Sequence, residues 1–121
     1  MQFLLLIYHA EVEWNKQTPA EMGAMYQDYM KFTQEIKDSG NYIGGKPLKP
    51  VSTATTVRVR NSKRVVTDGP FAETKEQLGG YYLVEAKDLD EALSIAARIP
   101  GARGGSIEVR PIASMEQAAQ A

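Results

Sequence analysis

Hydrophobic and polar positions along the chain alternate between two periods. Gln2 to Tyr8 is apolar on both faces, as expected of a central strand covered on each side, and His9 closes it. By the period of two, His9 shares a face with Phe3, Leu5 and Ile7. A polar loop, Ala10 to Gln17, carries Trp14. Thr18-Pro19-Ala20-Glu21 then reads as a helix start: a capping threonine, a proline for the first helical position and a glutamate completing a capping box. Met22, Met25, Tyr26, Tyr29, Phe32, Thr33 and Ile36 recur at spacings of three and four, which predicts one buried stripe on a helix over 19–39. Gly40 stops it.

The second half returns to period two. A strand starts within Asn41 to Gly45 and ends at the prolines of positions 47 and 50. Thr53 to Arg60 and Lys63 to Thr67 form a hairpin around Asn61-Ser62. Gly80 to Glu85 is a further strand. Asp88-Leu89-Asp90-Glu91 starts a short helix burying Leu89, Ala92, Leu93 and Ala96, which Pro100-Gly101 ends. Ser106 to Ile112 is the last strand, and a loose tail follows from Ser114, leaving one domain over 1–113 and a tail over 114–121. The order is β-α-β-(β-hairpin)-β-α-β, a ferredoxin-like α+β arrangement with two helices on one face of an antiparallel sheet. Two helices leave the other apolar face bare. A homodimer packed sheet on sheet would cover it.

Composition narrows the function. The 121 residues carry a net charge of −1, which gives no electrostatic reason to expect nucleic acid. Cysteine is absent, so disulfides, thiol catalysis and thiolate metal sites are excluded; a single histidine excludes a histidine-cluster metal site within one chain. No metal and no cofactor is expected, and no dinucleotide fingerprint or P-loop occurs. The apolar start is too short to span a bilayer and lacks a basic flank and a cleavage site, so a soluble, cytoplasmic protein without membrane contact is expected. Arg58, Arg60, Lys63 and Arg64 make the hairpin basic. The plain reading is a solvated face with edge charges; the sharper one is an anion contact.

One stretch, from Asp68-Gly69-Pro70-Phe71 through Ala72-Glu73-Thr74-Lys75-Glu76-Gln77-Leu78 to Gly79-Gly80, is neither plain helix nor plain strand. Pro70 stiffens its front, and the paired glycines at its back suggest a bulge or a close backbone approach. Asp68 sits at the mouth of the turn. It is either a catalytic carboxylate or an Asx-type cap bonding the N–H of Phe71, and by residue physics the cap is the commoner use.

This stretch resembles the signature of the DGPF proteins of the YCII-related family. Leu4-Leu5-Leu6-Ile7-Tyr8, Thr55-Thr56-Val57-Arg58, Asp88-Leu89-Asp90-Glu91-Ala92 and Glu108-Val109-Arg110-Pro111 resemble the same family, so the likeness runs from Met1 to about Ile112. The resemblance implies a dimeric α+β barrel. It attaches two ideas to the chain: an enzymatic role for a histidine and an aspartate, matched here by His9 and Asp68, and a regulatory role beside a sigma-factor-related partner. On the first, His9 serves as acid or base and Asp68 orients and stabilises the imidazolium. Tyr8, Trp14, Phe71, Tyr81 and Tyr82 are candidates to line a pocket for a small organic ligand. On the second, the same pocket only binds, and His9 is an ordinary strand-end histidine.

Overall fold

The computed structural model describes residues 1–115. Three α-helices and six strands follow one another as β1 (Gln2–His9), α1 (Glu11–Trp14), α2 (Pro19–Asp38), β2 (Tyr42–Pro47), β3 (Thr55–Arg60), β4 (Lys63–Asp68), β5 (Gln77–Glu85), α3 (Leu89–Ala97) and β6 (Ser106–Pro111). Short 3₁₀ turns occupy Val51–Thr53 and Pro100–Arg103. The strands make two sheets. One has the order β2-β5-β1-β6, antiparallel throughout; the other is the hairpin β3-β4 alone. The ferredoxin-like α+β order expected from the sequence is present, but the hairpin stands apart from the main sheet instead of extending it.

The core lies between the sheet and the two long helices. Phe3, Leu5 and Ile7 of β1 and Tyr82 and Val84 of β5 meet Phe32 and Ile36 of α2, and Ala92, Ile95 and Ala96 of α3, with Ile99 beyond it. Register explains the layer: Phe3 pairs with Val84, Leu5 with Tyr82 and with Val109, and Ile7 with Ile107. Two helical stripes differ from the expected ones. On α2 the stripe is shortened: Met22 and Tyr26 face solvent, while Tyr29, Phe32 and Ile36 reach the core. On α3, Leu89 and Leu93 are exposed and Ile95 takes the central place, packed with Ala92 and Ala96. The loop over 10–17 contains one helical turn, Glu11–Trp14. Thr53 belongs to a 3₁₀ turn, and β5 starts at Gln77, three residues before Gly80. The tail over 116–121 lies outside the described residues.

The start of α2 is built as the sequence indicates. Thr18 Oγ1 accepts the N–H of Glu21 at 3.1 Å, and Glu21 Oε1 accepts the N–H of Thr18 at 3.1 Å. The Thr18 backbone and side chain hold the Glu21 carboxyl below its usual range. A depressed carboxyl stabilises the fold above its unfolded value, and that stabilisation is lost as pH falls through the folded one. Thr18→Ala is expected to cost about 1 kcal/mol. A lower urea midpoint with an unchanged m-value checks this.

Candidate functional site

His9 ends the central strand, opposite Gln77 of β5. Just before it the ladder slips: Ile7 pairs with Gly80 and Tyr8 with Leu78, so Gly79 is the extra residue of a bulge. The imidazole occupies the space this glycine leaves. A Cβ on residue 79 would lie 2.2 Å from His9 Cε1 and 2.7 Å from Nδ1. On the ring's other contact side is Trp14, with ring centroids 4.8 Å apart and a 34° tilt. The helical turn Glu11–Trp14 produces this contact by reversing the chain directly after β1. Gln77 ties the turn down: its Oε1 accepts the N–H of Glu11 at 2.9 Å and its Nε2 donates to the carbonyl of Thr74 at 2.6 Å. His9 is half-buried, and its ring nitrogens have no hydrogen-bond partner among the described residues.

Carboxylates gather at this end of the sheet. Glu11 accepts the N–H of Val51 at 2.9 Å, Glu76 accepts the hydroxyl of Ser106 at 2.8 Å, and Glu108 accepts the hydroxyl of Tyr8 at 3.3 Å. Partial burial, then the charge of Glu108, push the Tyr8 phenol above its usual range.

Asp68 is elsewhere. It is the last residue of β4, on the hairpin, opposite Thr55 and exposed. Its carboxylate makes no hydrogen bond or ion pair among the described residues, neither to His9 nor to the N–H of Phe71. The turn is held without it. Gly69, at φ 98°, donates to the carbonyl of Ala54 at 2.8 Å, and its own carbonyl accepts the hydroxyl of Thr56 at 2.7 Å. The expected Asx cap is therefore absent, because backbone bonds across the hairpin root do its work.

The aromatic candidates separate too. Tyr8 and Trp14 flank His9 along the chain, whereas Phe71 is 81% exposed in the loop after the turn. Tyr81 is half-buried on the sheet face away from the helices. Tyr82 belongs to the core: its hydroxyl is 2.6 Å from Thr33 Oγ1, its ring is edge-on to Phe32 and Tyr42, and burial pushes its phenol up. Two surface depressions have none of the candidate site residues in their lining. One, between α2 and the end of α3, is lined by Asp28, Lys31, Phe32, Glu35, Arg98 and Arg103; the other runs along Leu93, Ala96, Ala102, Ile107 and Val109.

Sequence reasoning missed the contact of Gly79 with His9. The signal was present, since paired glycines implied a close approach, but which group approaches depended on the bulge register.

The profile of the YCII-related domain matches residues 1–116. The chain belongs to the YCII-related family. An uncharacterised protein of Rhizobium meliloti (strain 1021) is 36% identical over 115 residues, covering 93% of each chain. Among solved structures, 5-chloro-2-hydroxyhydroquinone dehydrochlorinase of Burkholderia phenoliruptrix AC1100, in complex with 2,5-dihydroxybenzoquinone, superposes with a TM-score of 0.51 at 15% identity, covering 96% of this chain and 97% of that one. At that identity the likeness concerns the fold, an α+β arrangement with an antiparallel sheet. No described helix is long and apolar enough to cross a membrane.

Proposed function

We propose that this YCII-related protein is a homodimeric enzyme that moves a proton on a small ring-shaped organic molecule, with His9 as the acid–base group. One observation carries the reading: an imidazole fixed between an indole and a glycine bulge, with both ring nitrogens free of partners among the described residues. Histidine suits proton transfer near neutral pH, and a positioned one contributes far more than a mobile one. Trp14 offers a flat apolar wall beside the imidazole. The ligand of the dehydrochlorinase, 2,5-dihydroxybenzoquinone, is a planar ring of the size such a wall suits. Asp68 does not meet His9 within one chain, so in this reading it orients the imidazole only across a dimer.

The bare sheet face supports the dimer of this reading. Leu4, Leu6, Tyr81 and Leu83 stay half-exposed on the side without helices, and Ile43 is exposed nearby. A contiguous apolar face of this kind is covered in solution. Sedimentation at micromolar concentration should give twice the chain mass, and Leu6→Glu should give the monomer.

Trp14 is the one tryptophan and His9 the one histidine, so the site reports on itself. Protonated imidazole quenches a neighbouring indole. Fluorescence of the wild-type protein should fall as His9 gains its proton, and His9→Gln should abolish that step. Titration with 2,5-dihydroxybenzoquinone, followed calorimetrically, should show binding that weakens at least tenfold in Trp14→Ala. A wild-type protein that neither shows the fluorescence step nor binds any small ring compound would sink the enzyme reading. It would favour the regulatory one, to which the separation of His9 and Asp68 within a chain already lends weight; a sigma-factor-related partner would then be sought directly.

A further inference from the structure

The hairpin β3-β4 is an arm with no core of its own. Bonds from Gly69 and Thr56 close its base, the Glu11 contact to Val51 ties the segment before it to the body, and among the described residues β3 and β4 pack chiefly on each other. Its tip is a tight turn with Asn61 and Ser62 at φ 52° and 61°. The pairing register sorts its side chains cleanly. Thr55, Val57 and Val59 share one face with Asp68, Val66 and Arg64; Thr56, Arg58 and Arg60 share the other with Thr67, Val65 and Lys63. The first face is apolar and bare: Val57, Val59 and Val66 are 60%, 65% and 55% exposed. A two-stranded hairpin in water is marginal unless one face is packed.

We infer that the valine face of this arm docks on a second copy of the chain, carrying Asp68 into the partner's His9 site. Three observations favour a second copy as the occupant. The chain presents two unpartnered apolar surfaces, the valine face and the open sheet face, and a two-fold pairing covers both at once. Charge adds to this: Arg64 lies on the docking face, while the His9 end carries Glu11 and Glu76. The face that docks also bears Asp68, whose carboxylate has no partner among the described residues. A carboxylate carried into an apolar interface is costly unless a donor meets it. His9, equally unpartnered among the described residues, is the donor that end of the sheet offers. The catalytic pair would thus be completed between subunits, which accounts for two groups that lie on separate sheets of one chain.

This inference rests on the acid–base reading of His9 but fails separately from it. The chain lacks cysteine, so Thr67→Cys introduces a single attachment point on the basic face beside Asp68. Unlabelled Thr67→Cys protein carrying a nitroxide is mixed with wild-type protein isotopically labelled in its one histidine, and subunit exchange is confirmed by mass. Broadening of the labelled His9 ring signals is expected, because no nitroxide is present on the labelled chain itself. Sharp signals in exchanged dimers would overturn the arm's placement while leaving the fluorescence and ligand tests of His9 intact. A chain that stays monomeric at millimolar concentration would also overturn it. Val57→Asp is expected to release the arm and lose the broadening while the circular dichroism of the body is retained. Retained broadening in that variant would count against docking through the valine face.

Discussion

Gly79→Ala is expected to silence the His9 site while leaving the protein folded. The added methyl would sit 2.2 Å from His9 Cε1, a distance no real Cβ contact shows. What yields is the far end of a side chain, so the imidazole swings off Trp14 and the backbone stays in place. The bulge is kept, since it is set by the pairing of Ile7 with Gly80 and Tyr8 with Leu78. The pH-dependent quenching of Trp14 should disappear. Turnover of a ring substrate should drop by about 10²-fold or more, the contribution usual for a positioned acid–base group. Unfolding midpoints should move little. A variant with normal quenching would mean that the imidazole has another resting place and that the glycine serves only the bulge.

Leu5→Ala is expected to have the largest effect on stability. Leu5 is fully buried on the central strand, between Tyr82 on one neighbour and Val109 on the other. Strands on both sides fix its surroundings, so the cavity cannot collapse, and the cost should be about 3–5 kcal/mol. That is a large part of the ~5–15 kcal/mol total typical of a domain. Urea unfolding at fixed protein concentration checks it, because the apparent stability of a chain that dimerises depends on concentration. A loss under about 1 kcal/mol would mean that the layer repacks.

Element order and most boundaries were legible because each rests on local chemistry. The Thr18–Glu21 capping box, the positive φ angles of Asn61 and Ser62 and the alternation of Phe3, Leu5 and Ile7 each act within a few residues. What was not legible depends on distant packing. Whether Leu93 or Ile95 faces inward is a small rotation of α3, decided by how the helix lies on β6. Nothing in the alternation of Thr55, Val57 and Val59 reports whether a hairpin joins a sheet or leaves it, since pairing within the hairpin satisfies the same pattern. The Asp68 cap was a sound local expectation that the bonds of Gly69 and Thr56 across the hairpin made unnecessary. At the site, His9 and Trp14 meet through a four-residue helix too short to show a period.

The rootedness of the hairpin has a consequence for how the protein responds to its own abundance. Nearly all of the arm's contacts lie within itself, so its strands form quickly but hold weakly, and it is the region that opens first. A site that borrows a carboxylate from such an arm exists only while two chains are together. On dilution, amide protons of β3 and β4 would exchange fast while those of β1 stayed protected, and specific activity would fall with concentration. Catalytic competence would then be set by how much protein a cell holds, without any separate effector.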